Sequence, residues 1–154
     1  MAYKTILVPL DGSEISEEAI EHAEHICKCD KIDNIILLRV YEPILVDVKD
    51  LLEAERAAEL QSKKEEEAKR YLKKVEKQLK DKGIPVKSIL EYGMDPATKI
   101  LEVAKNENAD IIVMCSHGKS KVLHWMFGSV ANRVLIRTPI PVLVVVPEQR
   151  ESNI

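Results

Sequence analysis

Two glycines and a serine in the last third of the chain have the residue types and spacing of a phosphate site. Gly118 follows the apolar run 111–114, which is typical of a buried parallel strand, and nine residues separate it from Gly128 and then Ser129. Glycine lets a backbone approach a ligand closely, and a helix N-terminus presents N–H groups and a positive dipole end to an anion. The pattern predicts a nucleotide or another phosphorylated ligand, with a plain turn and helix cap as the alternative.

Two common phosphate-binding loops do not fit the chain. The run 118–120, Gly-Lys-Ser, resembles the end of a P-loop, but that loop requires a glycine where this chain has Val113. The first apolar run ends in Leu10, Asp11 and Gly12 without a Gly-x-Gly-x-x-Gly sequence. The predicted phosphate site therefore follows a late strand, not the first one.

Composition and charge argue against two classes of partner. The chain has 154 residues, with 23 basic and 26 acidic side chains, one Trp and one Phe. A nucleic-acid-binding protein would show a basic face and aromatic rings for base stacking. The N-terminus does not resemble a signal peptide, and no apolar run approaches the length of a membrane span. We expect a cytoplasmic protein with neither a nucleic-acid nor a membrane partner.

The cysteines and histidines predict no metal site. Cys27, Cys29 and Cys115 form an odd set without zinc-ligand spacing, which is typical of reduced thiols in a reducing compartment. His22 and His25, among acidic residues of one predicted helix, could hold a metal across one turn. A solvated, charged helix face is the favoured interpretation.

Strand and helix patterns alternate along the chain. Strands are predicted at residues 5–10, 34–40, 86–92, 110–116 and 142–146, and a loop at 43–50. Helices are expected after the caps Ser13 and Asp95, from Ser129, and over residues 50–82, the last either continuous or broken near Ser62. This order predicts an α/β fold with a single-domain, doubly wound, five-stranded parallel sheet over residues 1–147, followed by a polar tail at 148–154.

The chain resembles the universal stress protein family over nearly its whole length. The resemblance rests on the order and spacing of several segments, at residues 4–13, 36–40, 110–114, 116–118, 128–134 and 139–145. It implies a Rossmann-like fold of the adenine nucleotide alpha hydrolase-like type. It also implies a homodimer paired through the last strand, from Val142 to Val146.

The ATP-binding members of that family carry a motif that this chain keeps in all but one position. The motif is glycine, two residues, glycine, nine residues, glycine and a hydroxyl residue, and it matches Gly118, Gly128 and Ser129 here. Cys115 replaces the first glycine, so we expect weaker nucleotide binding, whether the sulfur faces the ligand or turns to the core. His117 borders the predicted phosphates, and a solvent-facing loop histidine is its alternative. The resemblance implies a nucleotide site formed by Pro9, Leu10, Asp11, Val40, Met114, Cys115, His117, Gly118, Gly128, Ser129, Val130 and Ala131.

Three functions remain open at this point. The favoured hypothesis is a regulatory protein that binds ATP, ADP or AMP, with Mg²⁺ or Mn²⁺ as a possible companion ion. The second is a dimeric stress-response interaction module that has lost nucleotide binding, which Cys115 would favour. The third is an enzyme, against which the sequence shows no catalytic residue set; at most slow ATP hydrolysis is expected.

Overall fold

Five parallel strands form one sheet in the part of the chain that the computed structural model describes, residues 2–117 and 128–147. Their order across the sheet is β3-β2-β1-β4-β5. The strands are β1 (Thr5–Leu10), β2 (Asn34–Tyr41), β3 (Val86–Tyr92), β4 (Ile111–Cys115) and β5 (Val142–Val145). The helices between them are α1 (Glu14–Cys29), α2 (Leu51–Asp81), α3 (Pro96–Asn106) and α4 (Ser129–Arg137). The predicted α/β fold is confirmed.

Helices cover both faces of the sheet, because side chains alternate between the faces along each buried strand. In β1, Ile6 and Val8 pack in the apolar cluster that contains α1 and α2 residues. Leu7 between them belongs to the cluster that contains α3 and α4 residues. All three side chains are fully buried. The strand order reverses between β1 and β4, the place where open α/β sheets hold ligands.

Local capping chemistry fixes three helix ends as expected. The Ser13 hydroxyl accepts the Ser16 amide at 3.2 Å at the start of α1. Asp95 caps α3, and Pro96 occupies its first turn. Gly83 ends α2 with φ of +76°, a left-handed conformation that glycine adopts without steric strain. Each of these ends was predictable because its cause lies within a few residues of sequence.

Of the two alternatives for the second helix, the structure has the continuous one. The helix α2 runs without interruption through Ser62, which is exposed. One serine inside a helix costs only a few tenths of a kcal/mol, roughly, relative to good helix formers such as the surrounding lysines and glutamates. Several predicted strand bounds differ by one residue: β2 includes Tyr41, β4 excludes Asp110 and Ser116, and β5 ends at Val145.

None of the helices in residues 2–117 and 128–147 has the length and apolar content needed to cross a membrane. The segments 118–127 and 148–154 lie outside the described residues. They contain the predicted site residue Gly118 and the predicted polar tail.

Candidate functional site

A cavity of about 440 Å³ lies at the carboxyl ends of β1, β2 and β4 and at the N-terminus of α4. This is the switch point of the strand order, where α/β folds bind ligands. Eleven residues named from the sequence line it. They are Pro9, Leu10, Asp11, Val40, Met114, Cys115, His117, Gly128, Ser129, Val130 and Ala131. The twelfth, Gly118, lies outside the described residues.

Sequence reasoning missed eight further lining residues. They are Ser16, Leu38, Arg39, Glu42, Lys64, Pro96, Ile100 and Ser116. Glu42 and Ser116 directly follow β2 and β4, so the rule that ligands lie beyond the carboxyl ends of strands could have found them. Lys64 reaches the cavity from the middle of α2, and no local signal marks that approach.

One end of the cavity is apolar. Val40 and Met114 are 6% and 5% exposed and come from β2 and β4, on either side of β1. Pro9 and Leu10 contribute the end of β1 between them. Pockets for small organic ligands are mostly apolar, with a few fixed polar groups. This end can therefore accept a flat aromatic ring system.

The polar end of the cavity is formed by the start of α4 and Ser116, which follows β4. The Gly128 amide donates to the Ser116 carbonyl oxygen at 2.7 Å, which joins the two elements. A Cβ built on Gly128 would lie 3.1 Å from that same oxygen, so any larger residue would require a shift of a few tenths of an ångström. Gly128 provides no side-chain cap for α4, and the first helical N–H groups have no intrahelical acceptor. Such an end can accept an anion.

His117 extends this polar end. Its Nδ1 atom lies 2.7 Å from the Ser116 hydroxyl. Its Nε2 atom is buried without a hydrogen-bond partner among the residues that the structure describes. A buried polar atom in this state is unfavourable unless another group satisfies it, so His117 can donate to or accept from a ligand atom in the cavity.

A carboxylate and a guanidinium lie together between the two ends. Asp11 Oδ1 accepts the amide and the hydroxyl of Ser13, at 2.9 and 2.5 Å. Arg39 donates to the Val40 carbonyl, and burial lowers the pKa of its guanidinium, an effect that the Asp11 charge opposes. A Cβ on Gly12, whose φ is +87°, would lie 3.7 Å from Arg39 Nε. Asp11 and Arg39 are two of the charged groups in the cavity lining.

The sulfur of Cys115 is turned toward α1. Its thiol donates to the Ile15 carbonyl at 3.0 Å, and the residue is 7% exposed. Burial, the largest effect, raises the pKa of this thiol to about 11. Of the two orientations left open by the sequence, the structure has the one directed into the core.

The helix that carries His22 and His25 forms no metal site in the structure. His25 Nε2 lies 3.9 Å from Cys29 Sγ, one turn further along α1. In residues 2–117 and 128–147, no group of three His, Cys, Asp or Glu side chains could hold a metal ion.

Comparisons by sequence and by structure both find that the chain is similar to one known protein. The universal stress protein MJ0577 of Methanocaldococcus jannaschii is 36% identical, over 93% of this chain and 94% of its own. Its solved structure superimposes with a TM-score of 0.83 and covers 97% of this chain and 99% of that one.

Two solved structures of other, related proteins contain an adenine nucleotide. A universal stress protein in complex with cAMP is 25% identical, with a TM-score of 0.59, and covers 95% of this chain and 98% of that one. One from Archaeoglobus fulgidus in complex with dAMP is 21% identical, with a TM-score of 0.65, over 94% of this chain and 98% of that one. The family model of the universal stress proteins matches residues 2–146. The chain therefore belongs to the universal stress protein family.

Proposed function

We propose that this cavity binds an adenine nucleotide, ATP or its di- or monophosphate, and that the bound nucleotide sets the state of a regulatory protein. The observation that carries the proposal is the pairing of an apolar end with an uncapped helix N-terminus in one cavity of about 440 Å³. A nucleotide has the matching chemistry, an aromatic base joined to an anion. The cAMP and dAMP complexes of related proteins support the same ligand class.

Each part of the nucleotide has a matching group in the cavity. The base packs between Pro9, Val40 and Met114 at the apolar end, and Asp11 accepts hydrogen bonds from the ribose hydroxyls. The phosphates lie at the start of α4, where the backbone from Gly128 to Ala131 and the Ser129 hydroxyl donate to them. In the proposal Gly118 completes this phosphate site, and Leu10, Cys115, His117 and Val130 form the remaining wall.

A divalent cation would enter with the phosphates. Mg²⁺ is usually held by one or two carboxylates together with substrate phosphates, not by a cage of protein ligands. Asp11 and Glu42 are carboxylates that line the cavity. They fit Mg²⁺ or Mn²⁺ in this shared form, in which the ion neutralises phosphate charge.

A homodimer paired through β5 completes the proposal. This strand lies at the edge of the sheet. Leu143 within the strand is 38% exposed, and Val146, the residue after the strand, is 65% exposed. Isologous pairing of two edge strands would cover both. The second candidate function, an interaction module without nucleotide, rests on this same edge.

We place the protein in the cytoplasm, because its three free cysteines suit a reducing compartment.

Calorimetry with ATP, GTP and adenosine tests the proposed ligand. We expect ATP to bind more tightly than GTP, because guanine has more polar groups that would lose their hydration in the apolar end. ATP should also bind more tightly than adenosine, because the N-terminus of α4 holds the phosphates. Ser129→Ala should weaken ATP binding about tenfold to a hundredfold, the effect of losing a hydrogen bond to a charged group. Ser129→Thr keeps the hydroxyl and is the control. If the wild type does not bind ATP at millimolar concentration, the interaction module replaces this proposal.

A further inference from the structure

The helix α4 is short, and few contacts determine where its N-terminus lies. It has nine residues, and Ala131 and Val134 are the side chains it buries. At its start, the Gly128 amide is fixed to the Ser116 carbonyl. On its outer side, Arg133 and Arg137 reach across to the beginning of α3. These contacts hold the group of N–H donors at which the proposed phosphates lie.

Asp95 is the centre of the outer contact. Its Oδ2 atom lies 2.6 Å from Arg133 Nη2 and accepts the Thr98 hydroxyl at 2.6 Å. Arg137 Nη1 donates to the same Thr98 hydroxyl at 3.0 Å. Asp95 is also the N-cap of α3, where its Oδ1 atom accepts the Thr98 amide. One carboxylate therefore joins the start of α3 to the middle of α4, one turn after Ser129.

Both helix starts belong to the cavity. Pro96, which follows Asp95 in the chain, lines it, and so does Ser129, one turn before Arg133. Asp95 and Arg133 themselves are absent from the lining and lie on the outer side. The pair is partly exposed, with Arg133 at 52% and Asp95 at 34%, and exposed pairs contribute little to stability.

We propose that Asp95 and Arg133 are positioning residues for the phosphate end of the site: their pairing holds the first turn of α4 in the orientation that binds phosphate. This inference rests on the proposed nucleotide function and adds two residues outside the cavity wall to it. It makes a distinctive claim, because removing either partner should weaken binding of the phosphates and leave binding of the nucleoside unchanged. A set of N–H donors that is held in place by supporting contacts binds its anion less tightly when those contacts are removed.

The experiment uses two variants with opposite changes in charge. Asp95→Asn keeps an N-cap for α3, since Asn and Asp cap about equally well, but it removes the negative charge. Arg133→Met removes the positive charge and keeps a helix-forming side chain. Calorimetry with ATP and with adenosine is done on the wild type, both variants and the double variant, and thermal unfolding checks their stability. Asp81→Asn and Lys77→Met break a similar exposed pair at 2.8 Å in α2 and are the matched controls.

We expect each variant to bind ATP about threefold to fivefold more weakly, near the upper limit for a partly exposed ion pair, with the adenosine affinity unchanged. The loss of ATP affinity in the double variant should be smaller than the two single losses combined, because both changes break the Asp95–Arg133 pair; Asp95→Asn also removes the charge that faces Arg137 Nη1 at 3.9 Å. The two α2 controls should bind ATP like the wild type.

Three results would overturn the inference. If Asp95→Asn tightens ATP binding while Arg133→Met weakens it, the pair acts only through its long-range charge. Equal losses for ATP and adenosine would mean a general structural effect, and unchanged affinities would mean that the pair has no role in binding. Failure of the proposed function is a different result, because then the wild type itself binds no ATP.

Discussion

The thiol of Cys115, at the end of β4, donates a hydrogen bond to the backbone carbonyl of Ile15 in the first turn of α1, with 3.0 Å between sulfur and oxygen. The sulfur is thereby held against α1 and away from the start of α4. Cys115 occupies the position of the missing glycine in the nucleotide motif, and its orientation removes most of the steric reason for weak binding. We expect Cys115→Gly to change the ATP affinity by less than about threefold, roughly 0.6 kcal/mol.

The buried thiol makes stability dependent on alkaline pH. Burial raises the pKa of Cys115 from 9.0 to about 11, so the folded protein holds this proton more tightly than the unfolded chain does. The resulting stabilisation is fully present below pH 9.0 and is lost as the pH rises through about 11. Wild-type stability should fall relative to Cys115→Ala by about 1–2 kcal/mol between pH 8 and 10.5.

Urea unfolding of the two proteins across this pH range measures the difference. Lysine and tyrosine titrations are common to both proteins and cancel in the comparison. If the difference in unfolding free energy between wild type and Cys115→Ala is constant over the whole pH range, the thiol titrates at its ordinary pKa.

Alkylation is a second test of the burial of this thiol: exposed Cys29 should react with iodoacetamide near neutral pH, and buried Cys115 should not.

The close contact at Gly128 predicts a selective loss of affinity on adding one methyl group. In Gly128→Ala the new Cβ would lie 3.1 Å from the Ser116 carbonyl oxygen, so the start of α4 must shift by a few tenths of an ångström. The backbone itself accepts alanine, because φ is −61°. We expect ATP binding to weaken about fivefold to tenfold, measured by calorimetry, with little change in unfolding temperature.

Gly93→Ala is the matched control for this substitution. Its new Cβ would also lie 3.1 Å from its nearest neighbours, but those are side-chain carbons of Lys99, which can move, and Gly93 does not line the cavity. If both variants bind ATP like the wild type, the backbone at Gly128 tolerates the shift and does not determine phosphate binding.

Sequence alone predicted those parts of the fold whose causes are local. The caps at Ser13 and Asp95 and the helix end at Gly83 follow from side-chain and backbone preferences within one turn. The five strands follow from short apolar runs. The lining residues at strand ends were predictable because parallel strands bring all their carboxyl ends to one edge of the sheet.

The parts that sequence could not predict depend on contacts between distant segments. Lys64 reaches the cavity because α2 runs unbroken past the end of β2, where its ammonium group donates to the Glu42 carbonyl at 2.8 Å. The direction of the Cys115 thiol depends on how closely α1 packs on β4, 100 residues away in the chain. The pairing of Asp95 with Arg133 likewise joins two helices whose relative position no local pattern determines.

Bound ATP should be hydrolysed very slowly. Among the titratable groups of the described lining, Asp11 already accepts two hydrogen bonds from Ser13, and the Cys115 thiol stays protonated at neutral pH. His117 and Glu42 are the remaining candidates for a general base in this lining. We expect phosphate release below about 0.01 per second at saturating ATP and Mg²⁺, far under ordinary enzyme rates. His117→Ala should leave this rate unchanged, whereas sustained turnover on the order of 1 per second or faster would favour an enzyme.

The outer edge of β5 predicts how the proposed homodimer can be dissociated. The carbonyls of Pro141 and Val145 accept amides of the β4 segment, from Ile112 at 3.0 Å and Ser116 at 2.8 Å. Because backbone groups alternate in direction along a strand, the amide of Val144 points away from β4, toward the open edge. Val144→Pro removes this outward N–H and leaves the bonds to β4 in place. An edge strand tolerates proline at such a position.

We expect the wild type to be a dimer by light scattering at about 10 µM, an ordinary range for a specific interface, and Val144→Pro to be a folded monomer. Val144→Thr keeps both the β-branched shape and the N–H group, so it should remain dimeric. A wild type that is monomeric at this concentration contradicts β5 pairing outright. If Val144→Pro stays dimeric, the two chains associate through another surface, because the variant lacks an outward amide in the middle of this short edge.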